Sequence, residues 1–164
     1  MKTLKSLPAL AAFIAAVSSA PAAFAVDEYN VPNGTTVGGH GVAVRDNDVV
    51  ALATGLDVMP GQARFTHVHD GVAYYFSSKA TKQRFAADPS RYMPQFGGFC
   101  ALGVALGKKL DGSPRYADIV DGKLYVFVND AVFQKYKEDR SGTLANARKK
   151  WPGMRAVAVS KVNS

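Results

Sequence analysis

The residues able to do chemistry are few, and one stands alone. Cys100 is the single cysteine of the chain, in the stretch "PQFGGFCALGVALGKK". With no second thiol, an internal disulfide is excluded. Four roles remain: buried apolar filler, metal ligand, reactive thiol or intermolecular partner. Gly97 and Gly98 precede the cysteine. Lacking Cβ atoms, they allow positive φ and are expected to position the thiol and leave a channel beside it. "FCALGVALG" has the composition of a short helix. If that helix starts near Gly98, Cys100 falls in its first turn, where orphan amides and the helix dipole favour a thiolate. A thiolate is a nucleophile, open to sulfenic acid and mixed-disulfide chemistry, and also a soft-metal ligand. Possible co-ligands are His67 and His69, two apart on one strand face, and the thioether of Met93. Met59 and Met154 are further thioethers. Copper(I) suits this set by softness, with zinc next. The bland readings stand beside these: histidines near a turn, methionines in a core, a cysteine used as a small apolar residue.

Other chemistry is thin. No Ser-His-Asp order, phosphate-binding glycine loop or paired carboxylates stand out in the sequence. The formal charge is +7. The late basic residues, Lys135, Lys137, Arg140, Arg148, Lys149 and Lys150, fall at helical spacing and read as a solvated face rather than a nucleic-acid surface.

The N-terminus supplies the compartment. Lys2 and Lys5 form a basic start, Leu7 to Ala23 is apolar, and Ala23-Phe24-Ala25 offers small residues where a signal peptidase reads. Residues 1–25 are expected to be a secretory signal peptide, so that the mature chain is periplasmic or extracellular. No later segment is apolar enough to cross a membrane, and no stable membrane insertion is expected.

Residues 26–47 contain Pro32, Asn33-Gly34 and Gly38-Gly39-His40-Gly41 and show no sustained period, so a flexible leader is expected, with His40 exposed. "VVALAT" is apolar and β-branched at its start, which predicts a strand from Val49. "ARFTHVHDGVAYYFSS" predicts a hairpin turning at Asp70-Gly71. Ser77 or Ser78 is expected to cap the helix "SKATKQRFAAD", and Asp88 to cap a short turn with Pro89 first. "ADIVDGKLYVFV" repeats the hairpin, turning at Asp121-Gly122. Asn129 or Asp130 is expected to cap "AVFQKYKED", and Ser141 the helix "GTLANARKKW", ended by Pro152. The expected fold is a small single α+β domain over 48–154: two short β-hairpins interleaved with three or four helices, followed by a C-terminal tail over 155–164. The two strand-turn-strand-helix units share an order, but no long internal repeat is evident.

The segments "DVVALATG", "GVAYYFSS", "RFAADPSRYMPQFGGFCALGVALGKK", "VDGKLYVFVND" and "KKWP" resemble the YHS-domain family in its exported form. The resemblance spans roughly Asp48 to Trp151. It implies an association with heavy metals and partners among metal-handling or redox proteins. It also departs from the metal-binding type. Asp48-Val49-Val50-Ala51 and Ser77-Ser78-Lys79-Ala80 stand where that type has cysteines, and Phe76 stands at the histidine of the family's name. Cys100 after Gly-Gly-Phe is the feature that carries over. Relatives can have selenocysteine there, which implies chalcogen chemistry. The expected function is therefore soft-metal handling through Cys100, His67, His69 and Met93. A thiol-redox protein with Cys100 as its reactive group is the first alternative. A non-catalytic ligand- or partner-binding module with a structural cysteine is the second.

Overall fold

A computed structural model describes residues 28–164; the expected signal peptide lies outside the described residues. The first regular element is not the expected strand. Val49–Gly55 is a helix, α1, capped by Asp48, whose carboxylate accepts from the Val50 and Ala51 amides at 3.0 and 3.2 Å. Val49, Val50 and Leu52 are wholly buried. The cap and this burial outweigh the modest strand preference of two valines.

Strands β1 (Gln62–His69) and β2 (Val72–Phe76) then pair antiparallel. Asp70 and Gly71 both adopt positive φ, 49° and 77°, the geometry of the tight turn that Asp-Gly favours. Ser78 caps α2 (Lys79–Ala87), and Asp88 caps α3 (Pro89–Tyr92) with proline at its start. Helix α4 (Ala101–Leu106) begins immediately after Cys100. The second hairpin joins β3 (Ser113–Val120) to β4 (Lys123–Phe127) through Asp121-Gly122, φ 54° and 70°. Asn129 caps α5 (Asp130–Glu138). Helix α6 (Arg140–Met154) is capped by Asp139 rather than by the expected Ser141, because only Asp139 lies three residues before the amide it serves, that of Gly142. Pro152 sits inside α6 instead of ending it. A proline this close to the end forfeits little helix bonding, and Met154 beyond it is buried in a core. A short α7 (Val159–Val162) closes the chain. The chain is thus an α+β domain with two separate two-stranded sheets and, among the described residues, seven α-helical segments.

A repeat does run through this order, contrary to the sequence expectation. Asp121 follows Asp70 by 51 positions, and the same step relates many other pairs. Tyr74 matches Tyr125, Phe76 matches Phe127, and the caps Ser78 and Asp88 match Asn129 and Asp139. The strand irregularities also correspond, one between Gln62 and Thr66, the other between Ser113 and Ala117. Gly61 and Gly112 correspond too. A Cβ on either would strike the partner strand, at Tyr75 in one and Val126 in the other. Few of the matched positions need identical side chains to do the same job, so the duplication is plainer in geometry than in spelling.

Two cores result, and β4 divides them. Leu124 and Val126 point into the core around Phe85; Tyr125 and Phe127 point into the core around Tyr136. A strand alternates faces, so an unbroken apolar run buries both sides. Each fully buried large side chain contributes about 1.5–3 kcal/mol.

Parts of the expected leader and tail are held against the domain. Asn30 bonds to Gly97 and Gly98, Val42 and Ala43 are buried, and the His40 Nδ1–H donates to the Gly71 carbonyl at 3.0 Å. At the other end, the buried Lys109 ammonium donates to the Arg155 and Val157 carbonyls at 2.9 and 2.7 Å, beneath the rings of Phe99 and Trp151. Asn163 both donates to and accepts from the Lys109 backbone. Among the described residues, no helix is long and apolar enough to cross a membrane.

Candidate functional site

Cys100 occupies the place that Asp48 holds in the first repeat. Each is the N-cap of its repeat's first helix. The Asp48 amide donates to the Met59 carbonyl and the Cys100 amide to that of Leu110, both at 2.8 Å. The residue before each forms an isolated antiparallel bridge, Asn47 with Pro60 and Phe99 with Asp111. Helix α4 is one residue shorter than α1, which accounts for a step of 52 here instead of 51.

The surroundings of the two side chains match as well. The Asp48 carboxylate accepts from Val50 and Ala51 on one oxygen. On the other it accepts from the Ser77 amide at 2.8 Å and the Ser77 hydroxyl at 2.6 Å. The Cys100 Sγ accepts from the Gly103 amide at 3.4 Å, with the Val128 and Leu102 amides also turned toward it. Val128 is the counterpart of Ser77. Amides that hold a carboxylate in one repeat therefore cradle a sulfur in the other.

The two groups differ in charge. Burial pushes the Asp48 carboxyl up, but hydrogen bonds from Ser77, Thr81 and Ala51 together outweigh it and hold the acid below its ordinary value. Burial pushes the Cys100 thiol up, and the Gly103, Val128 and Leu102 amides recover only part of that. A sulfur accepts weaker, longer hydrogen bonds than a carboxylate oxygen, so desolvation wins. Cys100 is 0% exposed and lies among Phe99, Val104, Tyr125 and Phe127. Its resting form is a neutral thiol shielded from solvent. The expectation of an accessible thiolate is corrected accordingly.

The glycines before it serve a different purpose from the expected one. Gly97 and Gly98 have φ of 61° and 83°. A Cβ on Gly97 would collide with the Glu28 carbonyl, and the Gly97 and Gly98 carbonyls accept from the Asn30 backbone and side-chain amides. They seat the N-terminal segment against the core. The space beside them is filled by that segment and is not a channel to the sulfur.

The proposed co-ligands lie in the other core. The rings of His67 and His69 sit edge-on to Phe85, with centroids 5.7 and 6.2 Å away. Met93 packs against the same cluster. Cys100 belongs to the Tyr136 cluster, so Cys100, His67, His69 and Met93 are not gathered into one site. Among the described residues, no three His, Cys, Asp or Glu side chains are placed to hold a metal ion. The donor set for a copper or zinc centre built on Cys100 does not fit. His67 is held below its ordinary pKa by burial first, then by the neighbouring charges of His69 and Lys82.

A further site escaped the sequence reading. A cleft of about 480 Å³ lies where the repeats meet, with Arg45 and Arg115 among its walls. Its only sequence signal was a pair of arginines 70 positions apart, which no motif connects. Comparison with protein-family models, curated proteins and solved structures found no match for this chain.

Proposed function

We propose that this chain is an exported YHS-type binding module without catalytic activity, in which Cys100 is structural. The observation carrying this reading is the complete burial of the sulfur in a backbone cradle that the other repeat fills with a carboxylate. A cysteine so placed caps a helix and fills a core. It is a poor nucleophile while the fold is closed, because a neutral thiol without solvent access reacts slowly. The family assignment rests on the sequence resemblance.

The test is thiol reactivity. In native buffer Cys100 is expected to react with a chromogenic disulfide reagent at least about a hundredfold more slowly than in denaturant. Native and denatured rates that agree within a few-fold would overturn the structural role and restore the redox alternative.

The soft-metal reading is the second one, in a reduced form. His67 and His69 share a strand face and are partly exposed, so two imidazoles are available without Cys100. The binding-module reading expects no competition with a chromophoric copper(I) chelator at micromolar protein. Competition that disappears in His67→Ala would favour the metal reading instead.

A further inference from the structure

The cleft between the repeats is built around two guanidinium groups that have no carboxylate partner among the described residues. Arg45 reaches it from an unusual backbone. Val44, Arg45 and Asp46 have φ of 54°, 48° and 63°, three successive non-glycine residues in the left-handed region. Such a run is costly for L-residues and persists only where surrounding contacts hold it. Here the Asn47 side chain donates to the Val44 and Arg45 carbonyls at 3.2 and 2.7 Å, and the Gly61 amide donates to the Asp46 carbonyl at 2.6 Å. The Arg45 Nε donates across the repeat boundary to the Gly112 carbonyl at 3.1 Å. That bond fixes the side chain's direction and leaves its two terminal NH2 groups available.

Arg115 supplies the second cation from the start of β3. Its counterpart in the first repeat, Arg64, lies over the Phe65 ring at 4.8 Å. Among the described residues, Arg115 has no such ring. Among the described residues, neither Arg45 nor Arg115 has a carboxylate partner. No acidic residue among those described lines the cleft. The neighbouring Asp46 carboxylate accepts from Asn33 at 2.9 Å. Asn47 and Ser113 also line the cleft, and Val58, Pro60 and Pro114 give it an apolar side.

We propose that this cleft binds a small organic oxyanion: a carboxylate or phosphate monoester attached to an apolar body. Guanidinium forks match the paired oxygens of both groups. The two prolines and Val58 receive the apolar part. This deepens the binding-module reading, on which it rests, by naming the class of ligand.

The test is an amide-resolved NMR titration of the protein at low salt with phenyl phosphate, benzoate and neutral benzamide. Saturable shifts at Arg45, Asn47 and Ser113 are expected with at least one of the anions at sub-millimolar concentration, and none with benzamide. The tighter of the two anions identifies the charged group. Arg115→Gln, an exposed change that the fold tolerates, is expected to weaken binding about tenfold, and added salt to weaken it further. The proposal is overturned if neither anion gives saturable shifts by about 10 mM. It is equally overturned if Arg45→Gln and Arg115→Gln both bind as tightly as the parent. Failure here with Cys100 still inert to the disulfide reagent would remove the anion site and leave the binding-module reading standing.

Discussion

Asp48→Ala is expected to lower the stability of the chain by about 4 kcal/mol. Asp48 is 0% exposed, and its carboxylate receives hydrogen bonds from the amides of Val50, Ala51 and Ser77 and the hydroxyl of Ser77, with the Thr81 side chain also turned toward it. Alanine leaves those donors in a dry site, and each unsatisfied buried donor costs about 1–3 kcal/mol, partly relieved when the Ser77 hydroxyl turns away. It also removes the cap that makes Val49–Gly55 a helix. Asp48→Asn is a sharper probe. It is isosteric, yet its NH2 group must face one of the two donor pairs. It too is expected to destabilise, by about half as much. The measurement is the urea midpoint, with the slope of the transition unchanged. Acid has a related effect. The folded acid titrates below its unfolded value, so its contribution is present above the usual carboxylate range and is lost as pH falls through the folded pKa. In Asp48→Asn that part of the acid sensitivity is expected to vanish. A midpoint within about 1 kcal/mol of the parent for Asp48→Ala would refute this account.

Phe85→Ala should cost about 3–5 kcal/mol. Phe85 is wholly buried and is the hub of the first core, with the Tyr74 ring at 4.6 Å, Phe76 at 5.2 Å and both strand histidines against its edge. Truncation opens a cavity beneath all four rings. A second readout separates this hub role from a general loss of stability. Burial, followed by the charges of His69 and Lys82, keeps His67 below its ordinary pKa. The unfolded chain therefore takes up that proton more readily, and stability falls as pH drops below about 6.5. Removing the Phe85 ring lets water reach the imidazole. Its pKa is then expected to rise toward the ordinary value, followed by the histidine ring-proton shift in NMR. An unmoved His67 titration in a folded Phe85→Ala protein would show that the ring does not shield it.

The second repeat solves the same packing problem with different side chains. Tyr136 stands where Phe85 stands, stacked on Phe127 at 4.2 Å, and its hydroxyl donates to Asp118 at 2.9 Å. Asp118 is the counterpart of His67. Arg140, the first residue of α6, completes this group at 3.5 Å from Asp118. A phenol needs an acceptor and a phenyl ring does not, so Tyr136 is matched by Asp118 where Phe85 is matched by His67. At such positions the pairs correspond while their members differ in type, which hides this part of the duplication along the chain.

Much of the local structure was legible in single residues. Asp70-Gly71 and Asp121-Gly122 announced both hairpins, because only a few residue types tolerate positive φ at two successive positions. Ser78, Asp88 and Asn129 announced helix starts through their oxygens. The apolar, β-branched start of "VVALAT" predicts a strand, but the local Asp48 cap on the Val50 and Ala51 amides and the burial of Val49, Val50 and Leu52 against distant residues make it a helix. The glycines before Cys100 were misread for a similar reason. Their positive φ was expected, but the segment that fills the space beside them begins near Glu28 and arrives through the fold.

What the sequence determined by itself was local: turns, caps, the α+β alternation and the presence of one unpaired thiol, all set by the chemistry of a few neighbouring residues. Only tertiary structure decided that β4 would bury both its faces and so separate Cys100 from His67, His69 and Met93. Only tertiary structure, too, brought Arg45 and Arg115 to one cleft. Ionisation and accessibility depend on what surrounds an atom in three dimensions, and most of what surrounds these atoms is distant along the chain.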